Sequence, residues 1–392
     1  MRLDASIARI SWVLWVAAAC LGFASLSSAF GQQSPAGFKP PEPYDLEQLY
    51  QQARQACPAG ALQCLMPQFQ SITDKYGPRA AIELFTLLRE RGQVDPLADG
   101  HHVAHHVGHE TAMVFGPSAQ ALALCPLSYN YGCVHGFFQH ALGMKELSEA
   151  DATHICADFP ADSSKTRQSC YHGLGHGVMM LTDHDLQKSL SFCDGLDSPL
   201  AQQACWQGVF MENVDAAIEG QWQRGQFSLE NPLAPCDQID ERHQYQCFIN
   251  QSAWLMKFYK DDIAQASQAC LKAPKASITP CLETVGLLTT STSWQPRLLP
   301  KAKPNEGFLD HAWGLCQQFP NSGVGDCVVG ALDNLLNSGT ADLQQAQDFC
   351  QLVGDPYRDR CLKRRDGDLL YLTPQAKAEA AKPPGPPTEL RH

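Results

Sequence analysis

The chain has 392 residues and a formal charge of −12 at pH 7, with 41 acidic against 29 basic side chains. That balance argues against nucleic acid or anionic lipid as a partner, because both are bound through Lys and Arg neutralising phosphate. What the composition offers instead is 17 cysteines and 14 histidines.

Residues 1–29 read as a signal peptide. Arg2 and Arg9 accompany an almost wholly apolar run from Ile10 to Leu26, and Ser27, Ser28 and Ala29 offer small residues for cleavage. An uncleaved N-terminal anchor is the alternative, since the run sits at the lower limit for a membrane span. No later stretch is apolar enough to form an integral membrane domain. The expected location is secreted or periplasmic. Residues 30–43 carry Pro35, Pro40, Pro41 and Pro43 and form a linker, and residues 374–392, rich in Pro and Ala, are expected to be a disordered tail.

Cys20 leaves with the signal, so 16 of the 17 cysteines remain. In an oxidising compartment an even number is read as disulfides. They fall into successive local pairs: Cys57/Cys64, Cys125/Cys133, Cys156/Cys170, Cys193/Cys205, Cys236/Cys247, Cys270/Cys281, Cys316/Cys327 and Cys350/Cys361. From Cys133 onward the second members are spaced by 37, 35, 42, 34, 46 and 34 residues, the size of a helix–turn–helix unit. Between Cys64 and Cys133 lies room for one further unit without cysteines.

Within each unit the apolar residues recur at helical spacing, as in the segments from Asp185 to Cys193 and from Cys205 to Val214. Gly136, Gly173, Gly208 and Gly330 each stand three residues after a second cysteine, which suggests close helix crossings. The segment from Trp294 to Gly307 reads as a long loop. The expected fold is all-α: about nine disulfide-stapled αα hairpins over 44–373, stacked as a curved solenoid, with a closed α/α toroid as the alternative.

Nine of the 14 histidines lie in three short runs, 100–110, 133–140 and 170–177. Setting Gly100 in register with Cys133, Cys170 and Cys205 puts His102, His135, His172 and Gln207 at one helical position. His106, Gln139, His176 and Met211 follow one turn later, on the same face. His109 returns to that stripe. The expected metal ligands are therefore His102, His106, His109, His135, His172 and His176, with His101, His105, His140, Gln139 and Gln207 in support. Glu212 and Glu110 are the candidate general bases. Paired imidazoles one helical turn apart suit Zn, Cu or Fe, here as one or two ions.

Other chemistries lack their motifs. There is no Cys-x-x-Cys, hence neither thioredoxin-type redox work nor covalent haem, and no nucleotide fingerprint. His109-Glu110 does not complete His-Glu-x-x-His, because position 113 is Met. The expectation is an exported metal-dependent enzyme, a hydrolase or an oxidoreductase acting on a small molecule or peptide. A non-catalytic metal-binding or delivery protein is the first alternative, and a protein-interaction scaffold is the second.

Overall fold

The computed structural model describes residues 38–369 apart from residues 59, 96–97, 130, 160–163, 222–225, 292–293, 300–306 and 338–342. The signal peptide, the tail and most of the 30–43 linker lie outside the described residues. Among the described residues every regular element is a helix and none is a strand.

Helices α1 (Leu46–Ala56) and α2 (Leu62–Glu90) are joined by Cys57–Cys64. Midway, α2 is bent at Gly77, whose φ of 81° suits glycine and which precedes Pro78. The bend lets α2 serve twice. Its second half, with α3 (Gly100–Phe115), makes the helix pair that has no cysteines.

Short α4 (Ala119–Leu122) ends just before Cys125, which is bonded to Cys133 in α5 (Gly132–Gly143). Cys156–Cys170 joins α6 (Glu149–Asp158) to α7 (Ser164–Leu181), and Cys193–Cys205 joins α8 (Leu186–Asp194) to α9 (Pro199–Ala216). Cys236 departs from the pattern. It lies in turns rather than a helix, with Pro232 and Pro235 removing N–H donors nearby, and bonds Cys247 in α10 (Glu241–Phe248).

After α11 (Ser252–Phe258), Cys270–Cys281 links α12 (Ile263–Cys270) to α13 (Ile278–Leu287). The four-residue α14 (Gln295–Leu298) occupies part of the segment expected to be loop. Cys316–Cys327 then links α15 (Phe308–Cys316) to α16 (Val324–Asn337), and Cys350–Cys361 links α17 (Leu343–Val353) to α18 (Arg358–Leu369). All eight bridges are the local pairs expected from the spacing.

The helix starts are chemically marked. Asp45, Asp99, Ser118, Ser148, Asp185, Ser198 and Asp262 each turn a side-chain oxygen onto a first-turn N–H, satisfying a donor the helix itself leaves open. Aromatic residues fill the space between helices, with Phe69, Phe85, Phe137, Phe138 and Phe210 all buried. The longer helices pack side by side in chain order: α2 on α3, α3 on α5, α5 on α7, α7 on α9. Later, α13 packs on α16 and α16 on α18.

Three of these contacts share one geometry. Between α7 and α9, Gly175 abuts Cys205 and Gly208 abuts the carbonyl of His172. Between α13 and α16, Gly286 abuts Cys327 and Gly330 abuts the carbonyl of Glu283. Between α3 and α5, Gly108 abuts Cys133 and Gly136 abuts the carbonyl of His105. A Cβ at any of these glycines would overlap the neighbouring backbone.

In α7 and α13 the first glycine stands five residues after Cys170 and Cys281, and the facing carbonyl two after. Applied to α3, both counts lead to Val103. The register expected for α3 is therefore corrected by three residues: Val103, not Gly100, holds the place of the cysteine.

Candidate metal centre

The corrected register decides which histidines of α3 turn toward α5. His101 and His105 lie one turn apart on α3, His135 sits on α5, and His172 and His176 lie one turn apart on α7. One ring nitrogen from each of His101, His105 and His135 lies within 4.8 Å of the others, and the same holds for His135, His172 and His176. His135 is central. Its ring centroid lies 5.3 and 5.2 Å from those of His101 and His105, and 4.6 and 4.9 Å from those of His172 and His176.

The surrounding hydrogen bonds set how these rings are protonated. His101 Nδ1 donates to the carbonyl of Tyr129 at 2.7 Å. His105 Nδ1 donates to Gln139 Oε1 at 2.9 Å, and Gln139 Nε2 donates to Glu212 Oε2 at 2.7 Å. The same Glu212 oxygen accepts from His176 Nδ1 at 2.9 Å. One continuous chain, His105–Gln139–Glu212–His176, thus ties α3, α5, α9 and α7 together.

Carbonyl and carboxylate oxygens only accept, so each of those Nδ1 atoms carries a proton, and in the neutral rings of His101 and His105 the Nε2 is left with its lone pair. Yet His101 Nε2 and His105 Nε2 are 3.0 Å apart. Two lone pairs at that distance repel unless a cation lies between them. His172 Nε2 and His176 Nε2 come within 3.2 Å. Two imidazole nitrogens on one tetrahedral ion, at 2.0–2.1 Å each, are about 3.3 Å apart. The donor set is all imidazole, which fits Zn, Cu or Fe.

Burial grades across the cluster. His101 and His105 are half-buried, His135 and His172 are buried, and His176 is fully buried. His135 Nδ1 is enclosed with no hydrogen-bond partner. Burial, reinforced by neighbouring imidazoles, holds His105, His135 and His172 well below the ordinary value of 6.5, and burial lowers His101 as well. All four are neutral at physiological pH and free to act as ligands.

The nearby carboxyls behave differently from one another. Burial pushes Glu212 up, but the hydrogen bonds and charge of His176, with the Gln139 amide, outweigh it and hold Glu212 below its ordinary value. Asp215, one turn further along α9, is raised to about 7 by burial and then by Glu212. Tyr129, which anchors His101, has a left-handed backbone with φ 53°, held by its hydroxyl at 2.8 Å from Thr86 and by packing on Phe85.

Of the expected ligands, the structure brings His135, His172 and His176 together, and joins to them His101 and His105 from the supporting set. His102 and His106 pair with each other at 3.2 Å on the exposed side of α3. His109, also exposed, meets His140 Nδ1 at 3.1 Å, and His140 Nε2 lies 3.6 Å from Glu146. Gln139 supports His105, and Gln207 hydrogen-bonds His172.

Glu212 stands one layer behind the rings, while Glu110 faces α2. There Glu110 bonds Asp74 and Gln70 and is raised to about 7, by burial first and Asp74 next. A motif for the corrected register is present in the sequence, since His105-x-x-Gly108-His109 matches His172-x-x-Gly175-His176. Asp215 and Tyr129 carry no such signal.

No protein-family model, curated protein or solved structure matches the chain, so the functional reading rests on the residues themselves.

Proposed function

We propose that the protein is an exported metal-dependent enzyme whose centre is the histidine cluster of α3, α5 and α7. The observation that carries this reading is the 3.0 Å approach of His101 Nε2 to His105 Nε2, with both Nδ1 protons committed to oxygen acceptors. His101, His105, His135, His172 and His176 would hold the metal. A transition metal bound there supplies Lewis acidity or redox capacity toward water or dioxygen.

The chain's own groups have separable tasks. Tyr129, Gln139 and Glu212 orient His101, His105 and His176 and fix their tautomers. Asp215, titrating about 7 within electrostatic reach of Glu212 and His176, is the carboxyl suited to take up or release a proton at neutral pH. The eight disulfides, together with the apolar leader, support export. Side-by-side packing of the longer helices in chain order supports a solenoid as the scaffold.

A second reading, metal delivery without catalysis, draws on the exposed His102–His106 pair, where a metal would be open to exchange. Metal analysis of untagged protein beside a His105→Ala/His172→Ala variant tests the site. Metal is expected in the wild type and lost in the variant, and a wild type that neither carries nor takes up metal would end both readings. If metal is held but hydrolase and oxidase screens stay blank for the wild type, delivery replaces catalysis.

A further inference from the structure

The five clustered histidines do not form one ligand set. Their nitrogens fall into two sets of three that meet only in His135. A single ion with nitrogen ligands at 2.0–2.1 Å spans at most about 4.2 Å between opposite ligands, so one ion is better matched to one set than to both. We infer that the cluster holds two ions and that His135 is the ligand common to them. The inference rests on the metal-centre reading above and adds the number of ions and their division of roles.

Three observations support the sharing. The His135 ring is nearly equidistant from the two flanking pairs, at 5.3 and 5.2 Å on one side and 4.6 and 4.9 Å on the other. It is buried, and its Nδ1 has no protein partner, unlike the Nδ1 atoms of His101, His105 and His176. An imidazole has nitrogens on opposite edges, so the ring can serve two ions once binding of the second ion displaces its remaining proton to water. The other four rings divide by helix, two from α3 and two from α7, each pair with its Nε2 atoms in contact.

The two positions differ in access. His172 and His176 are buried, which makes the inner position closed, whereas His101 and His105 are only partly buried, which makes the outer position the more accessible of the two. Closed sites suit a structural or charge-holding ion, and an open coordination position suits one that meets substrate. The outer ion is therefore the exchangeable and reactive one.

The test is a titration of the chelator-treated full chain with Zn(II) against a competing chromophoric chelator, and with Cu(II) followed by electron spin resonance. Two tightly held Zn(II) per chain are expected in the wild type and in His102→Ala/His106→Ala. One is expected in His101→Ala/His105→Ala and one in His172→Ala/His176→Ala. The second Cu(II) should diminish the resonance produced by the first, because one ring joins the two ions. The Cu(II) measurement needs no variant and so does not depend on His135→Ala folding.

If His135→Ala folds, both sites should weaken at least tenfold. One Zn(II) per wild-type chain overturns the two-ion inference and leaves the metal centre standing, whereas none removes the metal centre itself. Loss of one equivalent in His102→Ala/His106→Ala places the second ion on the exposed pair and overturns the inference. Two Cu(II) with additive resonances, or unchanged affinities in folded His135→Ala, overturn the sharing.

Discussion

The carbonyl of His105 lies directly against Gly136, so close that a Cβ at residue 136 would overlap it. This contact brings α3 and α5 to the separation at which His101 and His105 meet His135. Gly136→Ala should therefore push the helices apart. Overpacking of this kind costs about 1–3 kcal/mol, and the expected result is a lower unfolding midpoint with weaker metal retention, measured by denaturant titration and metal analysis on the same sample.

Gln139 touches both halves of the cluster's support, accepting from His105 and donating to Glu212. Gln139→Leu keeps the approximate volume but leaves His105 free to rotate or change tautomer. Loss of such a supporting hydrogen bond lowers metal affinity by roughly 10–100-fold. Chelator competition should read that loss while circular dichroism stays unchanged. Equal affinity would remove Gln139 from the positioning role.

Acid should weaken the metal-free protein through its histidines. His105, His135 and His172 are depressed below 6.5 in the folded state. As pH falls below 6.5 the unfolded chain takes up those protons first, so their contribution to stability is present above 6.5 and is lost on acidification. Replacing His135 with Gln should flatten the fall in urea midpoint between pH 7.5 and 5.5.

Asp215 works in the opposite direction. Raised from 3.8 to about 7, it stays protonated in the fold while the unfolded chain ionises, and it therefore penalises the folded state as pH rises through 7. Asp215→Asn should raise the unfolding midpoint of the metal-free protein more at pH 8 than at pH 5. A gain that is the same at both pH values would show that the shift has another origin.

The bridge Cys193–Cys205 closes a separation of 12 residues beside the site and anchors α9, which carries Glu212. Cys193→Ser/Cys205→Ser should cost about 2–3 kcal/mol by the chain-entropy estimate. Its unfolding midpoint in denaturant should fall accordingly, with metal affinity falling too because Glu212 is less firmly held.

The eight cysteine pairings and the all-helical class are legible in the sequence because they are local. Partners 7 to 14 residues apart lie on successive short helices or turns, and the 3–4-residue apolar spacing of those segments is written into each one. The exception at Cys236 is also local, since prolines replace a helix there. The choice between His101/His105 and His102/His106 is not local in the same way.

Both pairs are one turn apart on the same helix, and neighbouring residues differ by about 100° around it. With no cysteine in α3, the sequence marks its register only through the match of Gly108-His109 to Gly175-His176, and Gly100 is a misleading reference position. Only the packing of Gly108 on Cys133 and of Gly136 on His105 rotates α3 so that His101 and His105 face His135 and leave His102 and His106 in solvent. The sequence by itself determined the helices, their staples and a histidine-bearing face. Close packing between helices distant along the chain decided which five imidazoles meet.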